Sequence, residues 1–276
     1  MADLEPRRGP PDTLAQRLRD YLELFDPDLL TRWHGADEAL VGEYARLSGF
    51  EDPQSLPPAY RSYLRVLGLD DGGLFADLKL DARLDDVVEL YRECIRSEPD
   101  TLNPTLPICG VFVVGDQISF DRRDGSDEPP VVETSDGEWF AALSRDWEAL
   151  VMQAAILRVQ PRRLAHGRWF SSSATSLEKA LGGDRSPARV AWAMEEFAAQ
   201  HGLASAWPSD PRHHILLGNA RSLYARVGVE GGLLLYAFAM EEEFLRAVHD
   251  KLAPRLGTLL RGATQLENGL LRDASR

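Results

Sequence analysis

The sequence predicts an α+β protein, with helices packed on an antiparallel sheet followed by a smaller α+β C-terminal unit. Three observations carry this. Up to residue 96 the apolar side chains recur three and four apart, the spacing of a helix face. From Val111 to Ala141 the period falls to two, with glycine turns between short β-rich runs. After Ser186 come a helix, three strands and a closing helix, in that order.

Leu14, Leu18, Tyr21, Leu22 and Phe25 form the apolar stripe of a first helix. Thr13 and Gln16 are spaced as its capping box, and Asp26-Pro27-Asp28 stops it. Residues 1–35 are thus expected as an N-terminal helical arm. A second helix, 37–47, buries Leu40, Val41, Tyr44 and Leu47 and ends at Gly49. The third begins at Leu56-Pro57-Pro58. Its second proline sits in the first turn, where no amide hydrogen is needed, and Tyr60, Tyr63, Leu64 and Leu67 share one face. Residues 85–96 make a fourth helix on Val87, Val88, Leu90, Tyr91 and Ile95, closed by Pro99. Residues 111–114 suit a central strand, and Gly115-Asp116 turn the chain into Ile118 and Phe120, which alternate with polar Gln117, Ser119 and Asp121. Val131-Val132 is a short strand. Asp136-Gly137 signals a hairpin into Trp139-Phe140-Ala141, and Ser144 is placed to cap a helix through Trp147, Leu150, Val151 and Ala154.

Residues 157–185 hold Arg158, Arg162, Arg163 and Arg168, three consecutive serines from Ser171 and the Gly182-Gly183 pair, the composition of a basic flexible linker. A basic clamp folding back on the acidic middle domain is the alternative. Residues 186–276 then form a small αβββα domain. Its first helix carries Val190, Trp192, Met194 and Phe197, its strands lie at 214–217, 223–227 and 233–238, and its last helix at 240–252. An amphipathic tail with Leu256, Leu259, Leu260 and Leu266 is expected to fray.

Charge is divided unevenly along the chain. Residues 36–156 carry 25 acidic and 10 basic side chains, whereas 157–276 carry 12 and 16. A negative field of that size repels nucleic acid and attracts basic partners. No apolar run reaches the roughly 20 residues of a membrane span, so no membrane role is expected. Residues 1–8 hold no apolar stretch of the kind a secretory signal requires, and the two cysteines, Cys94 and Cys109, have no metal-site spacing. A cytoplasmic location with reduced thiols is the expectation.

Taken together, the Leu56-Pro57-Pro58 helix start with Gly72-Gly73 behind it, the Pro129-Pro130-Val131-Val132 strand and the strand-into-helix from Trp139 to Trp147 resemble the SUKH superfamily, the Smi/Knr-type cell-wall-assembly-regulator fold, over residues 36–156. Many bacterial members of that family are toxin-immunity proteins. The resemblance implies a non-catalytic cytoplasmic immunity protein that binds and neutralises a toxin effector domain, basic and of nuclease type given the charge. A Smi/Knr-like scaffold or regulatory module outside toxin systems is the alternative. The chain departs from the family pattern where Leu69-Asp70-Asp71, rather than an asparagine-led turn, precede the glycines.

Motifs for chemistry are absent from the sequence: there is no phosphate loop, GxGxxG, GxSxG or HExxH. Neither an enzyme activity nor a cofactor or metal is expected. Adjacent His213 and His214 would point to opposite faces of a strand, a poor ligand pair, and a surface or turn position is expected for them. The tryptophans are expected mostly in the core, with Trp169 and Trp207 in loops. Acidic residues in turns are the candidate partner contacts: Asp70 and Asp71 with Gly72 and Gly73, and Asp124 with Asp127 and Glu128.

Overall fold

A computed structural model describes residues 7–112, 115–135, 137–184, 186–210, 212–228, 231–267 and 270–273, with side chains through Gly262. The chain divides into two compact units, residues 6–155 and 156–276. Each is α+β and built on one antiparallel sheet.

The first unit opens with α1 (Leu14–Glu23) and the short α2 (Pro27–Leu30). Next come α3 (Glu38–Leu47), α4 (Pro58–Leu67), the two-residue strand β1 (Leu80–Asp81) and α5 (Leu84–Ser97). Strands β2 (Ile108–Phe112), β3 (Gln117–Phe120), β4 (Val131–Ser135) and β5 (Glu138–Ser144) complete a five-stranded meander in chain order, every neighbour antiparallel. Helix α6 (Trp147–Arg163) follows, and the boundary between units falls within it. The arm of residues 7–35 belongs to this same unit, since the Ala15 amide donates to Ser62 Oγ of α4 at 3.1 Å.

Local chemistry accounts for most of these elements. Asp37 caps α3, its Oδ1 accepting from the Leu40 amide at 2.8 Å. Pro57 and Pro58 open α4 as expected, and its apolar face packs an aromatic core. Fully buried Trp147 lies at the centre, with ring centroids 4.7 Å from Tyr60, 5.2 Å from Tyr63 and 5.9 Å from both Phe75 and Phe120. Edge-to-face contacts of this kind add stabilisation beyond the apolar area they bury.

Several expectations need correction. Thr13 does not cap α1. A 3₁₀ turn over Pro11–Thr13 precedes the helix, so the Thr13 hydroxyl donates to Pro10 O and Gln16 turns to Asp20. Ser144 ends β5, and α6 is capped from Asp146, whose Oδ1 accepts from the Ala149 amide at 2.6 Å. Ser119 is fully buried and hydrogen-bonded to Thr134 across the sheet at 2.9 Å, so the polar alternation in β3 does not face water. The expected strand residues Val113 and Val114 and the hairpin residue Asp136 lie outside the described residues.

The second unit adds β6 (His166–Ser172), α7 (Ala174–Ala180), α8 (Pro187–His201), β7 (Ala204–Ser205), β8 (His213–Leu217), β9 (Arg221–Val227) and β10 (Leu233–Ala239). It closes with α9 (Glu242–Ala247), a wide π turn (Val248–Leu252), α10 (Ala253–Arg255), β11 (Leu259–Glu267) and β12 (Leu270–Asp273). The sheet order is β12-β11-β6-β10-β9-β8-β7, antiparallel throughout. One face is packed by Leu177, Val190, Met194, Phe197, Phe244 and Val248 against Phe170, Leu235 and Ala237.

Residues 157–185 are therefore not a flexible linker. They contain the end of α6, a central strand and a capped helix. Phe170 is fully buried between two strand partners, and Ser173, inside the serine run, accepts from the Ser176 amide to start α7. The tail does not fray but pairs with β6 as β11, making the unit larger than αβββα. Both histidines are buried rather than surface-borne. His213 lies beside the Tyr224 ring, tilted 39° to it, and pairs with Asp210, Nδ1 to Oδ1 3.1 Å, while burial pushes the His214 imidazole down to about 4, leaving it neutral.

Candidate functional site

Helix α4 organises the candidate site because each of its ends carries one of the expected acidic turns. Ten residues at 1.5 Å rise separate those ends by about 15 Å.

At the N-terminus, proline at both Pro57 and Pro58 leaves no side chain able to cap the helix. The cap comes from 69 residues away: Glu128 Oε1 accepts from the Ala59 amide at 2.9 Å. A carboxylate here is favoured by the helix dipole, yet Glu128 Oε2 is buried without a hydrogen-bond partner. Burial is the largest influence on this carboxyl. Together with the Asp146 and Glu148 carboxylates it outweighs the Ala59 bond and the Arg61 charge, and pushes the group up to about 7. Beside it opens a cleft of about 460 Å³ lined by Phe50, Leu56, Pro58, Arg122, Ser126 and Asp127, among others. The Arg122 guanidinium lies 4.1 Å over the Phe50 ring and donates to Gly49 O at 3.3 Å, forming the cleft's basic wall. Asp124 and Asp127 are exposed on the turn, and Asp124 Oδ1 accepts from the Ser126 amide at 2.9 Å.

At the C-terminus the Asp70–Gly73 turn is largely committed to its own architecture. Asp70 Oδ1 accepts from the Gly72 amide at 2.7 Å, and Asp71 Oδ1 from Gly73 and Leu74 at 2.7 and 3.1 Å. Burial raises the Asp71 carboxyl, against the lowering by those amides. Gly72 is itself buried at φ 72°, and a Cβ there would stand 2.6 Å from Leu29 O. The His34 amide bonds Asp70 O at 2.9 Å, and Arg32 donates to Gly72 O. Of these four expected contacts, Asp70 is the one with an exposed side chain; Asp71 is half-buried.

The structure puts Asp127 in the wall of that cleft, with Asp124 on the same turn and Glu128 at the start of α4, and leaves the Asp70–Gly73 turn at the other end of the helix. Sequence reasoning passed over Phe50 and Arg122, which shape the cleft. The Asp121-Arg122-Arg123-Asp124 run was the available signal, two cations inside an acidic turn. It also took Trp139 for core. Trp139 and Phe140 are exposed on β5, the edge of the first sheet, with Arg123 5.8 Å from the indole. Among the described residues, no three His, Cys, Asp or Glu side chains come together to hold a metal ion, and no helix is long and apolar enough to cross a membrane.

Fold and site thus define a two-unit α+β chain whose first unit presents acidic turns at both ends of one buried-face helix. The chain matches no protein-family model, no curated protein and no solved structure.

Proposed function

We propose that the first unit is a non-catalytic module that binds a basic protein partner. In the setting implied by the SUKH resemblance, it is an immunity protein that neutralises a basic toxin effector domain, acting in the cytoplasm. The carrying observation is charge partition: residues 6–155 hold 30 acidic and 15 basic side chains, a net −15, in one compact unit. The exposed carboxylates of Asp70 and Asp124 each have one oxygen tied to a backbone amide, which fixes the turn before a partner arrives and lowers the ordering entropy of binding. A field of this sign speeds association with a basic protein by a factor of about 10 to 1,000 at low salt.

Affinity capture on the tagged full chain, followed by identification and a salt titration, tests the reading. The expected result is one stoichiometric basic effector domain whose association rate falls steeply as ionic strength rises. Recovery of an acidic partner, or a basic one whose rate is flat with salt, would refute it. Recovery of cell-wall or signalling proteins would move the reading to a scaffold role.

A further inference from the structure

On the face opposite its helix-packed core, the second unit's sheet buries Ile215 of β8 and Tyr224 of β9 but exposes apolar side chains across β10, β6 and β11, where an exposed antiparallel face is ordinarily polar. Register places them in rows. Arg226 of β9 lies opposite Leu234 of β10, which lies opposite Ser171 of β6, which lies opposite Leu259 of β11. In the next row Tyr236 lies opposite Trp169, and Trp169 opposite Gly262. Directly opposed residues share a face, so these form one patch about 10 Å across from β10 to β11. Leu259 is 65% exposed, Trp169 38% and Leu234 37%. The indole lies across Gly262, where a Cβ would stand 2.2 Å from Trp169 Nε1, so the ring rests against the neighbouring strand. Arg261, at the bulge in β11, reaches over the same face to donate to Ser171 Oγ at 2.8 Å.

We infer that this face is a second docking surface, for a protein segment that presents apolar residues flanked by carboxylates. Tryptophan, tyrosine and arginine are the side chains that dominate binding energy at protein interfaces, and here they surround two exposed leucines. The flanking charge is the Arg261 guanidinium, in a segment, residues 156–276, that carries 16 basic and 12 acidic side chains, opposite in sign to the first unit. That complementarity selects an acidic occupant. A second copy packed face to face would set two surfaces of the same charge against each other and is disfavoured. Single-stranded nucleic acid would use the indole for stacking but would leave Leu234 and Leu259 without apolar partners. The surface belongs to the second unit and does not depend on the function proposed for the first.

Panning a displayed library of random short peptides on the full chain tests the assignment, alongside Leu259→Asp and Arg261→Glu variants at exposed positions. The expected result is enrichment of peptides with Asp or Glu beside aromatic or aliphatic residues, bound about tenfold more weakly by either variant. Enriched peptides that bind both variants as well as the parent, or a library that shows no enrichment, would overturn it. Tighter binding of an oligothymidylate than of any peptide, lost in Arg261→Glu, would replace it with a nucleic-acid surface. A concentration-dependent dimer abolished by Leu259→Asp would replace it with self-association.

Discussion

Replacing Glu128 with glutamine isolates the energetics of the helix cap. In the folded unit this carboxyl titrates near 7, against an ordinary value of 4.5 in an unfolded chain. Between those values the unfolded chain has released the proton and the folded one still holds it. Stability therefore falls as pH rises through the window, and is highest, for this group, below about 4.5. The full gap corresponds to about 3 kcal/mol at 1.36 kcal/mol per pH unit. The side chain is only partly buried and solvent screens it, so about 1–2 kcal/mol is the realistic size. Glutamine keeps an acceptor for the Ala59 amide and carries no charge. Glu128→Gln should match the parent near pH 4.5 and exceed it by about 1–2 kcal/mol at pH 8. Urea unfolding, read by mass spectrometry of pulse-labelled amides in α4, follows this unit without requiring the whole chain to unfold in one step. The quantity of interest is the difference between variant and parent at each pH, which cancels other titrating groups. A difference that stays flat from pH 4.5 to 8, or a variant weaker than the parent at pH 8, would refute the reasoning.

Gly72→Ala forces a side chain into left-handed backbone against Leu29 O and should destabilise the first unit by about 1–3 kcal/mol. Gly125→Ala, at the same φ of 72° but in open space, should lose about 1 kcal/mol or less, as thermal melts of the pair would show. Trp147→Ala removes the ring that four aromatics pack against and should lower stability by about 3–5 kcal/mol, checked by the denaturant midpoint at unchanged slope. The double variant Asp124→Lys, Asp127→Lys should leave stability within about 0.5 kcal/mol and slow association with the basic partner, measured by stopped-flow mixing at low salt. In the second unit the pH dependence has the opposite sign. His214 titrates near 4 when folded, so stability is lost as pH falls from about 6.5 toward 4, and His214→Leu should flatten that slope in an acid titration.

Where a structural cause lay within a few residues, the sequence was legible. The paired prolines of α4, the Asp37 cap of α3 and the Ser186-Pro187 start of α8 are local, and each appears where its chemistry placed it. The acidic turns were legible as turns for the same reason, because Asp70, Asp71 and Asp124 bond amides two or three residues ahead.

What lay beyond local sequence was partnership at a distance. Glu128 became a helix cap because the fold carried it to Ala59, and burial at that spot moved its titration. Residues 166–172 looked like linker because arginine, glycine and serine dominate them. They are a strand because β10 and β11, more than sixty residues on, supply their hydrogen bonds. Trp192 sits on the apolar periodicity of α8 yet is 53% exposed, with Arg189 and Arg255 over its ring, since only packing decides which side of a stripe meets the core. Composition and spacing thus determined which elements form and how charge divides along the chain. Tertiary structure alone decided which strand stands at the centre of a sheet, which carboxylate is desolvated and which aromatic rings remain in water, because each depends on neighbours that no short window of sequence contains.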